Sequence, residues 1–334
     1  MIEFEDVTKR YPDGTVAVDK LSLRIPSNEI TVLVGPSGCG KTTSLRMINR
    51  TIERSSGRIS IDGEDINDKD PVTLRRGIGY VIQQAGLFPH KTVVDNVGTV
   101  PKLLGWDKKK THAVAMELLE RVGLDLKLAQ RYPAQLSGGQ QQRVGVARAL
   151  AADPLIMLMD EPFSAVDPIV RHQLQEELLR LQRDIGKTIV FVTHDIDEAI
   201  KLGDNVAVLR VGGKLAQFAP PAELLANPAD EFVENFIGQD RGYRALTFLK
   251  ADDLPLAPIP IELAVADDGR PLGWRTNGAD ELAPLGAVFQ RGDTLRAAMD
   301  AVLTSPVGRG VCVDEAGKAL GVIDQTALAG VLHQ

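Results

Sequence analysis

The stretch Gly35-Pro36-Ser37-Gly38-Cys39-Gly40-Lys41-Thr42 constrains this chain more than any other. It follows an apolar run, Ile30 to Val34, of the length of a buried strand. It opens onto Thr43 to Ile52, where Leu45, Ile48 and Ile52 recur at helical spacing. Strand, glycine-rich loop, helix is the context that a phosphate-binding loop requires. Glycines let the backbone curl until successive N–H groups point inward at phosphate oxygens. The helix N-terminus adds unsatisfied donors and a positive dipole end. In such a loop Lys41 reaches the β- and γ-phosphates and the Thr42 hydroxyl holds Mg²⁺. The plainer alternative, a glycine turn that binds nothing, is disfavoured by the flanking strand and helix.

A length of 334 residues suits one large domain plus a small one, or two domains. The apolar fraction of 44% and the charged fraction of 25% are those of an ordinary globular protein. Aromatics at 4% are too sparse for platforms that stack single-stranded nucleic acid. A net charge of −7 opposes general binding to a phosphate backbone. No apolar run approaches a membrane span, and the acidic start Met1-Ile2-Glu3-Phe4-Glu5-Asp6 lacks a signal-peptide pattern. These features predict a cytoplasmic chain, free to dock on a membrane protein. Cys39 and Cys312 lie far apart, and a disulfide is not expected in the cytosol. Cys39 reads as a small filler in the loop rather than a reactive or metal-binding thiol.

Along the chain, residues 2–8 and 15–25 alternate apolar and polar positions around Asp13-Gly14, the pattern of a hairpin. Tyr11, just before the turn, is either a half-exposed hairpin aromatic or a flat ring for stacking adenine. Arg58 to Asp62 alternates again. Ile78 to Ile82 is a short apolar strand followed by Gln83-Gln84, whose amides are either solvated or able to reach a metal or a water. Residues 87–150 look like a helical insertion in an alternating α/β chain, with helical periodicity over Asn96 to Gly105 and His112 to Val122. Lys108-Lys109-Lys110 reads as a solvated helix start.

Leu136-Ser137-Gly138-Gly139-Gln140 precedes an amphipathic helix, Gln141 to Ala151, and Ser137 stands where an N-cap would. The segment is either a capped helix start or a second anion-binding helix terminus. The second reading requires a nucleotide held elsewhere, for example by a partner chain. Leu155 to Met159 is wholly apolar, as a central parallel strand is, and it ends in Asp160-Glu161-Pro162. Paired carboxylates at the end of a buried strand are costly unless a cation or water uses them. Asp160 fits a water-mediated Mg²⁺ ligand and Glu161 the base that polarises an attacking water. Thr188 to Thr193 is another strand, ending at His194 on the same sheet edge, where ligands bind in such sheets. Val206 to Arg210 and Lys214 to Gln217 read as a closing hairpin, Glu231 to Ile237 as a short packed helix, and Gly238 to Gly242 as a linker region. In residues 243–334, Val265 through Gly269-Arg270-Pro271-Leu272-Gly273-Trp274 is echoed by Val313 through Gly317-Lys318-Ala319-Leu320-Gly321-Val322. A helix from Thr294 to Leu303 precedes the second copy. The pair suggests a small pseudo-symmetric α+β regulatory or dimerisation domain.

Together these motifs resemble the ATPase subunit of an ATP-binding cassette (ABC) transporter. The resemblance covers residues 1–238, with a helical subdomain at about 87–150, a linker at 239–242 and a separate tail at 243–334. It implies an α/β phosphate-loop NTPase core with an antiparallel β subdomain and a helical subdomain, plus the small α+β tail. The Gly35 to Thr42 loop is similar to Walker A, Leu136 to Gln140 to the family signature, and Ile156 to Asp160 to Walker B. Gln83 falls at the Q-loop, Ser164-Ala165-Val166-Asp167 at the D-loop and His194 at the switch histidine. The family pattern implies ATP held by Tyr11, Gly35, Ser37, Gly38, Cys39, Gly40, Lys41, Thr42, Thr43 and Asp160. Ser137, Gly138, Gly139 and Gln140 of a second, head-to-tail copy complete the site. Thr42, Gln83 and Asp160 would hold Mg²⁺, and Glu161, His194, Gln83 and Lys41 would carry catalysis.

Ile78-Gly79-Tyr80-Val81-Ile82-Gln83-Gln84, Gly86-Leu87-Phe88-Pro89-His90 and Val100-Pro101-Lys102-Leu103-Leu104-Gly105-Trp106 are similar to importers of glycine betaine, choline, carnitine and proline-type osmoprotectants. That resemblance implies a homodimer on the inner face of the cell membrane. Its contacts would be permease subunits and, indirectly, an external solute-binding protein, with no nucleic acid. The tail resembles a degenerate pair of cystathionine-β-synthase-type (CBS) modules. Such modules often end in a carboxylate that binds ribose, where this chain has Ala279 and Ala327. Importers of sugars or other amines, ABC ATPases of DNA repair or ribosomes, and a nucleotide-gated regulator without turnover are the alternatives. Glu161 and His194 argue against the last.

Overall fold

The computed structural model describes residues 1–83, 86–164, 166–276 and 281–332, the last two through their backbone. The chain divides into two units, Met1–Leu224 with Pro228–Phe236, and Leu225–Asn227 with Ile237–Gln334. Strands of the first unit are β1 (Ile2–Arg10), β2 (Val16–Ile25), β3 (Ile30–Val34), β4 (Ser56–Ile61), β5 (Glu64–Asp65), β6 (Ile78–Val81), β7 (Ile156–Asp160), β8 (Thr188–Val192), β9 (Asn205–Arg210) and β10 (Lys214–Ala219).

Alternation in β1 and β2 sends Ile2, Phe4 and Val7 and Val18, Leu21, Leu23 and Ile25 inward. They build an antiparallel sheet in the order β2-β1-β4-β5, with Phe4 facing Leu23 on one side and Ile59 on the other. The second sheet runs β10-β9-β3-β8-β7-β6. Its five strands β9 to β6 are parallel, and β10 closes it antiparallel to β9. β3, β7 and β8 are buried at every position, as strands covered on both faces are. One core joins the two sheets, including Phe4, Leu21, Leu33, Leu45, Ile59, Leu158 and Val190. Parallel register brings the carboxyl ends of β3, β6, β7 and β8 to one edge.

The helix after β3, α1, spans Lys41–Ile48 and stops short of Ile52. Arg50 takes a left-handed φ of 53°, and the N–H groups of Thr51 and Ile52 both turn back to the Arg46 carbonyl. That returning geometry closes a helix rather than extending it. α2 (Pro71–Arg76) leads into β6. The helical insertion comprises α3 (Val93–Val97), α4 (Thr99–Leu103), α5 (Lys108–Arg121) and α6 (Gly138–Leu150) around its own core of Val93, Val97, Leu119, Val144 and Ala147. The periodicity of 96–105 therefore belongs to two short helices. They break at Gly98, and Pro101 falls in the first turn of α4, where its missing N–H is not required. α7 (Pro168–Ile185) and α8 (Ile196–Leu202) follow β7 and β8. α9 (Pro221–Ala226) and α10 (Glu231–Ile237) come next, and then α11 (Arg241–Ala245), so residues 241–242 open a helix where a linker was expected.

In the second unit, hairpin β11 (Leu263–Val265)–β12 (Pro271–Trp274) is echoed by β14 (Arg309–Val313)–β15 (Ala319–Asp324). β13 (Val288–Gln290) pairs parallel to β14, α12 (Leu295–Thr304) lies between them, and α13 (Gln325–Leu332) follows β15. The duplication is exact enough to reuse a glycine. A Cβ on Gly273 would lie 2.6 Å from the Ala283 carbonyl oxygen, and on Gly321 2.7 Å from that of Ala257. Each glycine thus admits a crossing segment, which pairs with Trp274 in one copy and Val322 in the other. The Ala319 N–H donates to the Gly269 carbonyl at 2.9 Å, joining the two copies. Residue 279 lies outside the described residues.

Candidate nucleotide-binding and hydrolysis site

The loop after β3 wraps a cavity of about 240 Å³ lined by Ala17, residues 37–43 and Glu161. Gly40 makes the curl possible: its φ is 91°, and a Cβ there would sit 2.4 Å from the Ala17 carbonyl oxygen. Lys41 is buried, and its ammonium donates to the carbonyls of Gly35 at 2.8 Å and Pro36 at 3.0 Å, with Cys39 Sγ at 3.8 Å. These carbonyls hold the ammonium over its own loop. Cys39 is a buried free thiol, and burial pushes its pKa up. That agrees with a filler rather than a nucleophile.

Thr42 Oγ1 donates to Asp160 Oδ1 at 2.8 Å. The other carboxylate oxygen takes Arg46 Nη2 at 3.3 Å and the Tyr80 hydroxyl at 3.4 Å, while Arg46 Nε donates to that hydroxyl at 3.3 Å. The hydrogen bond to Tyr80 raises the Arg46 pKa, and burial raises that of Tyr80. Sequence reasoning missed both residues. Arg46 stands four residues after Thr42 on α1, and that spacing, which puts two side chains on one helix face, was the available signal.

Glu161 closes β7 with a left-handed φ of 44°, an uncommon conformation for a residue with a Cβ. Its N–H donates to the Val192 carbonyl at 3.0 Å, which ties it to β8. One carboxylate oxygen, Oε2, lies 3.3 Å from Gln83 Nε2 and 3.3 Å from His194 Nδ1. Three residues from three strand ends therefore meet at Glu161, which also lines the phosphate cavity. Gln84, beside Gln83, and Ala165 lie outside the described residues.

Other expected residues stand apart from this cluster. Ser137 caps α6 by accepting from the Gln140 N–H at 3.3 Å, and Gln140 Oε1 accepts from the Ser137 N–H at 3.0 Å. None of residues 137–140 lines the cavity. Tyr11 is partly exposed beyond the lining, with Lys9 Nζ 5.0 Å from its ring centroid. Asp167 caps α7 through the Val170 N–H at 3.1 Å.

Phosphate loop, paired strand-end carboxylates, histidine and a separate capped helix on one α/β core define an ATP-binding cassette ATPase. The family model described as "ABC transporter" matches residues 18–164. Osmoprotectant import ATP-binding protein OsmV of Salmonella typhimurium is 45% identical, over 99% of this chain and 96% of that protein. Glycine betaine/carnitine/choline transport ATP-binding protein OpuCA of Bacillus subtilis is 57% identical, over 72% of this chain and 63% of its own length. The dimeric cassette MJ0796, solved in a post-hydrolysis state with ADP and Pi, superposes with a TM-score of 0.60 at 35% identity, covering 66% of this chain and 99% of that one. The chain belongs to the ABC transporter family, among the ATP-binding subunits of osmoprotectant importers, and its activity is ATP hydrolysis. Among the described residues no helix is long and apolar enough to cross a membrane.

Proposed function

We propose that this chain works as a head-to-tail homodimer that hydrolyses ATP and drives import of a quaternary-ammonium osmoprotectant through a membrane permease, from the inner face of the cell membrane. The observation that carries the catalytic half is the convergence of Gln83 and His194 on Glu161 Oε2, each at 3.3 Å, beside the Lys41 loop. Glu161 is the base that orients an attacking water. His194 and Gln83 hold its carboxylate and then the departing phosphate. Lys41 exchanges its loop carbonyls for β- and γ-phosphate oxygens. Catalysis of this kind is chiefly positioning and charge stabilisation. The donor set also fits Mg²⁺: a hydroxyl and a carboxylate already 2.8 Å apart beside a phosphate cavity are the hard oxygen ligands that this ion combines with substrate phosphates. Thr42 and Asp160 would hold it, joined by Gln83. When bound it neutralises phosphate charge.

The exposed Ser137 helix start supports the dimer. It is complete as a cap, is absent from its own subunit's cavity, and is free to face a partner's nucleotide. The osmoprotectant and glycine betaine/carnitine/choline transport subunits that the chain resembles support the solute class. The duplicated hairpins support reading the tail as degenerate CBS-type modules. In the second copy Asp324 is occupied in capping α13 through the Ala327 N–H at 2.9 Å, and Ala327 offers no carboxylate for a ribose.

Two measurements test this reading. Glu161→Gln keeps shape and removes the base, so ATP binding should persist while hydrolysis falls roughly 10²–10⁴-fold. An ATP-bound dimer should then accumulate on size-exclusion chromatography. Wild-type turnover in that variant would move the base elsewhere. The complex reconstituted with its permease should take up labelled glycine betaine, choline or carnitine in preference to sugars.

A further inference from the structure

A second, smaller cavity of about 50 Å³ is lined by Glu161 and His194 together with Arg171, Thr193, Asp195 and Glu198. Glu198, on α8, is a buried carboxyl that no step above uses. It accepts a hydrogen bond from Gln175 Nε2 at 3.1 Å, and Gln175 is itself buried on α7. Thr193 lines the same cavity as that carboxyl, and its hydroxyl accepts the Asp195 N–H at 3.0 Å. Asp195 in turn caps α8 through the N–H groups of Asp197 at 2.9 Å and Glu198 at 3.4 Å. The two chain neighbours of His194 are therefore bonded to each other, and Asp195 to the first turn of the helix that carries Glu198, while the imidazole stands out toward Glu161.

The anchor reaches the other loop too. Arg171, one turn before Gln175, donates to the Val166 carbonyl at 3.3 Å and brings Nη1 to 4.0 Å from Asp195 Oδ2. Its buried Nε has no hydrogen-bond partner, so the side chain keeps donor capacity in a confined polar space. A solvent-facing helix pair would not need a buried carboxyl, which is costly to desolvate without a compensating role.

We propose that Glu198 and Gln175 are positioning residues for His194: bridging α8 to α7, they hold the start of α8, and with it the Asp195–Thr193 pair that flanks His194, so that the imidazole stays within reach of Glu161. The inference rests on His194 having the role proposed above. Holding a catalytic group in place is a large effect, since a misplacement of about 1 Å can cost on the order of a hundredfold.

The test uses the full-length chain, with steady-state ATPase kinetics, ATP affinity by calorimetry, and melting temperature. Glu198→Ala and, from the other helix, Gln175→Ala should each lower kcat by about tenfold to a hundredfold. Affinity and KM for ATP should stay within about twofold, the split expected when only transition-state positioning is lost. Glu198→Gln, which keeps the side-chain shape and an acceptor oxygen for the Gln175 hydrogen bond, should recover most of kcat. In a His194→Ala background Glu198→Ala should take nothing further from the residual rate. If His194→Ala itself retains full turnover, the role given to His194 fails. If His194→Ala is impaired but Glu198→Ala and Gln175→Ala are not, the positioning proposal alone fails. It also fails if Glu198→Ala costs the same factor with and without His194, or if kcat falls only together with ATP affinity and folding. Should Glu198→Ala not fold, Gln175→Ala and Glu198→Gln decide the matter by the same criteria.

Discussion

At the scale of single residues, charge and burial set what each substitution does. Lys41 supplies the only full charge in the phosphate loop, and charge-assisted hydrogen bonds of its kind are worth roughly 1.5–3 kcal/mol each. Lys41→Ala should weaken ATP binding about tenfold or more by that figure and abolish hydrolysis, as read by nucleotide titration and phosphate release. Near-normal turnover would refute the loop's assignment. Glu198 gives a pH signature. Burial raises its pKa, with Asp195 adding to the rise, while Thr193, Gln175 and Arg171 oppose it. The folded chain thus holds that proton more tightly than the unfolded one. Stability from this group is greatest when it is protonated and falls as pH rises from the ordinary carboxylate range through the raised value. Glu198→Gln removes that contribution, so its melting temperature relative to wild type should climb as pH rises above the ordinary carboxylate range. A difference that stays flat with pH would contradict the shift. Gln83, Glu161 and His194 were legible in the sequence because each ends an apolar strand run, and a parallel sheet carries such ends to one edge. Arg46 and Tyr80 were harder to find because their contacts to Asp160 span 114 and 80 positions of sequence, and only the sheet order reveals them.

At the scale of elements, the start of α6 carries the proposal that the site is completed by a second subunit. The N-terminus of α6 presents a satisfied capping box with its cap Ser137 and first residue Gly138 exposed, and the phosphate cavity of its own chain is lined without it. If the two parts meet only across a dimer, defects in different subunits must complement. Lys41→Ala and Ser137→Arg subunits, each inactive alone, should regain partial ATPase activity when mixed, because each heterodimer keeps one intact composite site. No recovery over a range of ratios, with heterodimers verified by differential tagging, would confine the site to one chain. Element type was readable from period and turn chemistry, but element ends were less so. Ile52 falls on the helical stripe of α1, yet the left-handed Arg50 ends the helix before it. Gly98 likewise divides a stretch whose apolar spacing runs on unbroken. Such stops depend on local backbone geometry, which spacing does not encode.

At the scale of the whole molecule, every residue of the proposed hydrolytic site lies at or before His194, in the first unit. The second unit has its own cores, one around Phe289, Ala298, Cys312 and Ile323 and one around Leu263, Trp274 and Val322. The duplicated turns were legible from Gly269–Gly273 and Gly317–Gly321. The crossing segments at Ala257 and Ala283 were not, because neither carries a strand pattern and only the missing side chains of Gly273 and Gly321 make room for them. A unit of this kind can govern transport only if it interacts differently with the open and closed states of the ATPase. A chain ending at Gly242 should therefore keep Mg²⁺-dependent ATPase activity in detergent. In proteoliposomes with the permease it should still transport but lose dependence on internal salt. An unchanged salt threshold would remove sensing from the tail, and loss of ATP-driven dimerisation would make the tail structural. If the tail is the degenerate CBS-type pair proposed above, Ala327 replaces the ribose-binding carboxylate, and ionic strength or simple dimerisation is the expected role, ahead of a cyclic dinucleotide. Calorimetric titration of the full-length chain with AMP and cyclic dinucleotides, with ATP saturating the cassette, should show no further binding. A tight adenosine ligand under those conditions would overturn that expectation.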